Sequence, residues 1–176
     1  HQLKEQADIL KSLGVENPGA FSKPLGHPMG AIVWLGGCSA SFVSPDGLII
    51  TNYHCANSSL QFHSTPECNL FEKGFLAKTR DEELPGETGK KVWVTEEIVD
   101  VSKQIRKGLE DIDDPLQRHK EIESRIKKII AKQEAPKEGI RCSIKKYFGG
   151  QKYYLIKKFE IKDVRLVYAP ESGIGA

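Results

Sequence analysis

Ser41-Phe42-Val43-Ser44-Pro45-Asp46-Gly47-Leu48-Ile49-Ile50-Thr51-Asn52-Tyr53-His54-Cys55 decides the reading of this chain. Ser41 to Ser44 and Leu48 to Thr51 are rich in β-branched and apolar residues, the composition of a half-buried strand. Between them Pro45 fixes φ, Asp46 can bond its own backbone, and Gly47 tolerates φ > 0. The pattern predicts two short strands joined by a tight turn, with His54 delivered at a strand end. An imidazole so placed can accept a proton from a hydroxyl while a carboxylate holds its other nitrogen. A lone histidine is more simply a strand cap; the whole string, rather than His54 by itself, favours the chemical reading.

Working outward, the string is similar to the bacterial trypsin-like pattern of strand, Ser-Pro-Asp-Gly turn, strand and Thr-Asn-x-His, followed directly by a cysteine. Pro28-Met29-Gly30-Ala31-Ile32-Val33, Gln61-Phe62-His63-Ser64-Thr65-Pro66-Glu67, Gly74-Phe75-Leu76-Ala77-Lys78-Thr79 and Asp163-Val164-Arg165-Leu166-Val167-Tyr168-Ala169-Pro170 extend the likeness. Together they resemble the periplasmic dipeptidyl aminopeptidases of Gram-negative bacteria, from His1-Gln2-Leu3 to Gly173-Ile174-Gly175. The resemblance implies a mainly β fold with helical insertions: a chymotrypsin-like (trypsin-like) β-barrel, the first barrel of a two-barrel serine peptidase that also has a helical cap. It implies that His54 is the catalytic base and that dipeptides are released from the amino ends of oligopeptides through an acyl-enzyme. Neither metal nor organic cofactor is expected. A homodimer in the periplasm or secreted is. Tyr53 stands where the family usually has histidine, and packing accounts for it as well as a contact in the cleft wall.

The resemblance also bears on the four cysteines. None forms a Cys-x-x-Cys pair and the nearby histidines are not at ligand spacing, so an oxidising compartment suits them better than zinc. Cys38 and Cys55 flank the hairpin much as a cysteine after the catalytic histidine pairs across the first barrel of chymotrypsin-like enzymes. A bond there would brace the base, with about 3 kcal/mol of loop-closure stabilisation in the chain-entropy model. Cys142 lacks the local partner that the family often has shortly before it, where Gln133-Glu134 stand here. Cys68 and Cys142 are left as the second candidate pair.

Length and charge set limits. A chain of 176 residues can bury one good core, whereas a complete two-barrel peptidase needs more. The expectation is an N-terminal part that carries the base, with the second barrel, cap domain and nucleophile elsewhere, inactive by itself. The start at His1, without methionine or an apolar leader, is expected to follow signal-peptide removal. Net charge is +2, from 26 basic and 24 acidic residues that are interspersed, which is no footprint for nucleic acid. No apolar run approaches the roughly 18 residues of a membrane span.

Residues 1–27 read as an N-terminal helix and loop, with Leu3, Ala7, Leu10 and Leu13 at helical spacing before the stop at Gly14. Residues 28–176 read as the barrel, opening with a strand at Ala31 to Leu35. Ser64-Thr65-Pro66-Glu67 has capping-box spacing with Gly74 ending a short helix, and Val92 to Val94 resumes strand character. A helical insertion is expected over about 101–134, capped at Asp114-Pro115 with Leu116, Ile122, Ile126, Ile129 and Ile130 on one face. Cys142 to Phe148 and Tyr153 to Phe159 read as a hairpin about Gly149-Gly150, and Val164 to Tyr168 as a further strand.

A triad also needs an acid and a nucleophile. No Gly-x-Ser-Gly signature occurs, and Ser172-Gly173 reads as a loop. Asp163 precedes an alternating strand, as a triad aspartate does in other bacterial trypsin-like proteases; the family resemblance argues against it, because there the triad acid lies further along. Two other classes remain: a trypsin-like endopeptidase of the high-temperature-requirement type, which normally lacks the cysteine pair and helical insertion, and a degenerate peptidase fold used for binding.

Overall fold

The computed structural model describes residues 6–23, 25–26 and 28–175. In chain order the regular elements are α1 (Ala7–Ser12), β1 (Ile32–Trp34), β2 (Ser39–Phe42), β3 (Ile49–Thr51), α2 (Asn57–His63), α3 (Leu70–Lys73), β4 (Phe75–Leu76), β5 (Leu84–Pro85), β6 (Val92–Asp100), α4 (Ser102–Arg106), α5 (Pro115–Glu134), β7 (Ile140–Tyr147), β8 (Lys152–Ile161), β9 (Arg165–Leu166), β10 (Tyr168–Ala169) and α6 (Ser172–Gly175). The architecture is mainly β sheet with some helices. The backbone divides into two compact units, His1–Gly26 with Thr95–Glu160 and His27–Val94 with Ile161–Ala176.

The unit that holds His54 is built on antiparallel strands in the order β3-β2-β1-β6. The β2–β3 hairpin pairs Ala40 with Thr51, Ser41 with Ile50 and Phe42 with Ile49. The Val43 amide donates to the Leu48 carbonyl, and the Leu48 amide donates to Ser44 Oγ, closing the turn around Pro45-Asp46-Gly47. Gly47 adopts φ 90°, a conformation that penalises any side chain. Alternation then decides the faces: Val33, Ala40 and Val92 turn inward onto Phe42, Ile49 and Val94. A second cluster gathers Leu60, Leu70, Leu166 and Ala169. Leu60, with no exposed surface, contributes about 2–3 kcal/mol by burial alone.

The stretch expected as one strand from Val164 to Tyr168 is two, because its halves pair with different partners. Leu84 opposes Leu166 in the β5–β9 ladder, whereas Tyr168 opposes Leu76 in the β10–β4 ladder. The helix expected after Ser64-Thr65-Pro66-Glu67 begins later, at Leu70, capped by Asn69, whose Oδ1 accepts from the Phe71 amide. Ser64 Oγ is already committed, donating to the Leu60 carbonyl and accepting from the Leu70 amide. Gly74 ends α3 at φ 68°, and a Cβ there would lie 3.0 Å from the Ala169 carbonyl, so only glycine fits. Ser172-Gly173 lies in the short helix α6 rather than a loop.

In the other unit β8 lies between β6 and β7. The β7–β8 register runs from Ile140 opposite Phe159 to Tyr147 opposite Lys152, so residues 148–151 make the connection about Gly149-Gly150. The insertion is two helices. Gly108, at φ 67°, follows α4, and Asp114 starts α5 by accepting from the Leu116 and Gln117 amides. Ile122, Ile126 and Ile129 pack on Val101, Ile105, Tyr153 and Leu155, while Leu116 is exposed. Of the N-terminal helix, Leu3 lies outside the described residues, and α1 buries no side chain.

Candidate active site

His54 follows β3 by three residues and sits in a 3-10 turn, Tyr53–Ala56, that runs directly into α2. The strand carries the chain to the sheet edge and the turn reverses it, so the imidazole is exposed while Cys55 beside it is buried. Cys55 is bonded to Cys38, with Cα atoms 6.1 Å apart. Cys38 precedes β2, so the crosslink ties the entrance of the hairpin to the turn at its exit. His54 Nε2 lies 3.7 Å from Cys38 Sγ. Cys38, His54 and Cys55 converge within 4.8 Å, but both sulfurs are spent in the disulfide and supply no thiolate for a metal.

Cys68 and Cys142, the second candidate pair, are free thiols. Cys68 is exposed in a turn closed by its own amide, which donates to the Thr65 carbonyl. Cys142 faces α5 from β7, among the apolar residues of the other unit, where burial and then the Glu134 carboxylate push its thiol upward. One thiol meets solvent and the other packs in a core.

Tyr53 packs against the Leu60–Leu166 cluster, and a Cβ on Gly175 would lie 2.5 Å from its ring. Its hydroxyl is buried without a hydrogen-bond partner among the described residues. Packing is therefore its visible role. Asp163 is exposed and both its oxygens are engaged by Arg165, at 2.9 Å to Nε and 3.1 Å to the terminal nitrogen. That hydrogen-bonded ion pair holds the Asp163 carboxyl below the ordinary aspartate range.

Sequence reasoning missed the groups that surround the backbone of the His54 turn. Ser58 and Ser59, in the first turn of α2, donate to Glu87 at 2.6 Å and 2.5 Å. Lys90 joins them, 3.1 Å from Glu87 and 3.1 Å from the Cys55 carbonyl. At the far end of α2, His63 Nε2 donates to the Pro85 carbonyl at 2.6 Å. Burial pushes the Glu87 carboxyl up, but the two hydroxyls and the Lys90 ammonium outweigh it and hold it at about 2. Glu87 is thus ionised at every pH at which a histidine can titrate.

The peptidase S46 family model matches residues 1–176. An Asp/Glu-specific dipeptidyl-peptidase of Shewanella putrefaciens is 40% identical over 176 residues, covering 99% of this chain and 24% of the relative. A dipeptidyl-peptidase 7 of Phocaeicola vulgatus is 34% identical over 180 residues, with 99% and 24% covered. The crystal structure of Porphyromonas endodontalis DPP11 in complex with substrate superposes with TM-score 0.82 at 35% identity, over 99% of this chain and 26% of that one. The chain spans about a quarter of the length of the curated relatives it matches. A hairpin ending in an exposed, disulfide-flanked histidine and a family match over its whole length lead to one assignment: this chain belongs to the peptidase S46 family.

Proposed function

We propose that the chain is the part of a serine-type dipeptidyl aminopeptidase that supplies its general base, from a chymotrypsin-like first barrel over residues 28–176. The observation that carries this reading is the exposed His54 at the exit of the β2–β3 hairpin, joined through Cys55 to the hairpin's entrance. The names of the relatives support the substrate class, peptides with a free amino end. His54 takes the proton of a serine hydroxyl as that oxygen attacks the second peptide carbonyl, then returns it to the leaving amine. Water repeats the exchange to release the dipeptide. The serine and its carboxylate come from the rest of the whole protein; Asp163, held by Arg165, is not that carboxylate. The whole enzyme works without metal, as a homodimer in the periplasm or outside the cell. Among the described residues no helix is long and apolar enough to cross a membrane.

Substrate blocking tests the reading. The full-length protein is expected to release dipeptides from fluorogenic dipeptidyl amides with a free amino terminus, to leave their N-acetylated forms intact, and to be silenced by a serine-directed phosphonate. Cleavage of blocked or internal sites would make it an endopeptidase. Absence of both turnover and labelling would make it a binding domain.

A further inference from the structure

We propose that Glu87 and Lys90 are positioning residues for the catalytic base, forming with Ser58 and Ser59 a polar clamp that fixes the backbone of the His54 turn in addition to its disulfide. The inference rests on the reading of His54 as general base. A triad histidine must be held to within a fraction of an ångström, because displacement of the order of 1 Å costs about a hundredfold in rate. The disulfide fixes the turn at one atom, Cys55 Sγ. Packing of Tyr53 and Ala56 adds non-directional contacts, and neither restraint fixes the orientation of the peptide after Cys55.

The clamp supplies a directional restraint there. The Lys90 side chain, mostly buried, reaches with Nζ the backbone oxygen of Cys55, the residue next to His54, and so holds the turn by its main chain. Glu87 orients Lys90 through one oxygen that it shares with Ser58, while its other oxygen receives the hydroxyl of the buried Ser59. Ser58 and Ser59 lie in the first turn of the helix that leaves the turn, so one carboxylate couples the Cys55 carbonyl, through Lys90, to the start of α2. An arrangement that served stability alone would need only the helix contact. The reach of Lys90 to the Cys55 carbonyl is what directs it at the base.

The experiment uses the full-length enzyme with Ser58→Ala/Ser59→Ala, Lys90→Met and Lys90→Arg, and His54→Ala in parallel. Alanine is a better helix former than serine, so the double serine variant removes the hydroxyls without weakening α2 itself, and it leaves every charge in place. Ser58→Ala/Ser59→Ala and Lys90→Met are expected to lower kcat by about tenfold to a hundredfold, with KM unchanged, as misplacement of a catalytic group does. In the double serine variant the acid limb of the kcat profile should stay where it is, because only placement has changed. Lys90→Arg, which keeps a donor for both partners, should retain most of kcat. Wild-type kcat in the serine and Lys90→Met variants would overturn the clamp, and so would a loss confined to KM or to melting temperature. If His54→Ala kept its activity, the general-base assignment would fail and the clamp with it. If His54→Ala were dead and the clamp variants normal, only the clamp would fall.

Discussion

Replacing His54 by alanine in the full-length protein is expected to lower kcat/KM for dipeptidyl amides by on the order of 10⁴ or more, the scale seen when a triad base is removed. The physical reason is specific. Without an imidazole the serine hydroxyl must lose its proton to water, and the leaving amine must depart unprotonated. Stability should be untouched, because the His54 side chain is exposed and its ring nitrogen approaches Cys38 Sγ only to 3.7 Å. Unchanged melting with lost turnover separates chemistry from folding. Turnover within a factor of a few of wild type would end the assignment.

The second large effect is expected from Cys38→Ala/Cys55→Ala. Chain entropy assigns a crosslink between positions 17 apart about 3 kcal/mol. The loss should show in chemical denaturation as an earlier transition for the part of the protein that contains this chain. Activity should fall as well, since the bond joins the two ends of the hairpin that places His54. Alanine suits the test at Cys55, which is only 7% exposed and needs no new polar partner. A variant with wild-type kcat and denaturation midpoint would show that the clamp and the apolar packing suffice without the bond.

Local chemistry made part of this fold legible. Pro45-Asp46-Gly47 announces a turn, the strands beside it alternate, and Asp114-Pro115 starts α5 where a cap followed by proline should. The rest depends on distant partners. Asn57–His63 is a weak helical sequence with two serines and an asparagine, and it is held in place by the burial of Leu60 and by contacts of its side chains with residues 85 and 87. Ser64-Thr65-Pro66-Glu67 has the spacing of a capping box, yet the Leu60 carbonyl at the end of the preceding helix and the Leu70 amide take the serine first. Val164 to Tyr168 alternates like one strand but is divided between two ladders.

The candidate site divides in the same way. His54 announces itself through its motif, and Cys38 and Cys55 through their position around it. Glu87 and Lys90 read as two more charges in a glycine-rich loop. Their significance appears only when the fold brings that loop against Ser58, Ser59 and the Cys55 carbonyl, some thirty residues away in sequence. Cys68 and Cys142 show the converse, since a pair left over by counting need not be a pair in space.

The most direct test of the central claim is a crystal structure of the full-length protein with a dipeptidyl phosphonate bound covalently to its nucleophilic serine. The account predicts a ring nitrogen of His54 about 2.6–3.2 Å from the bonded serine oxygen, a carboxylate other than Asp163 on the opposite nitrogen, and Lys90 still on the Cys55 carbonyl. A different residue beside the serine oxygen, with His54 turned away from it, would contradict the account.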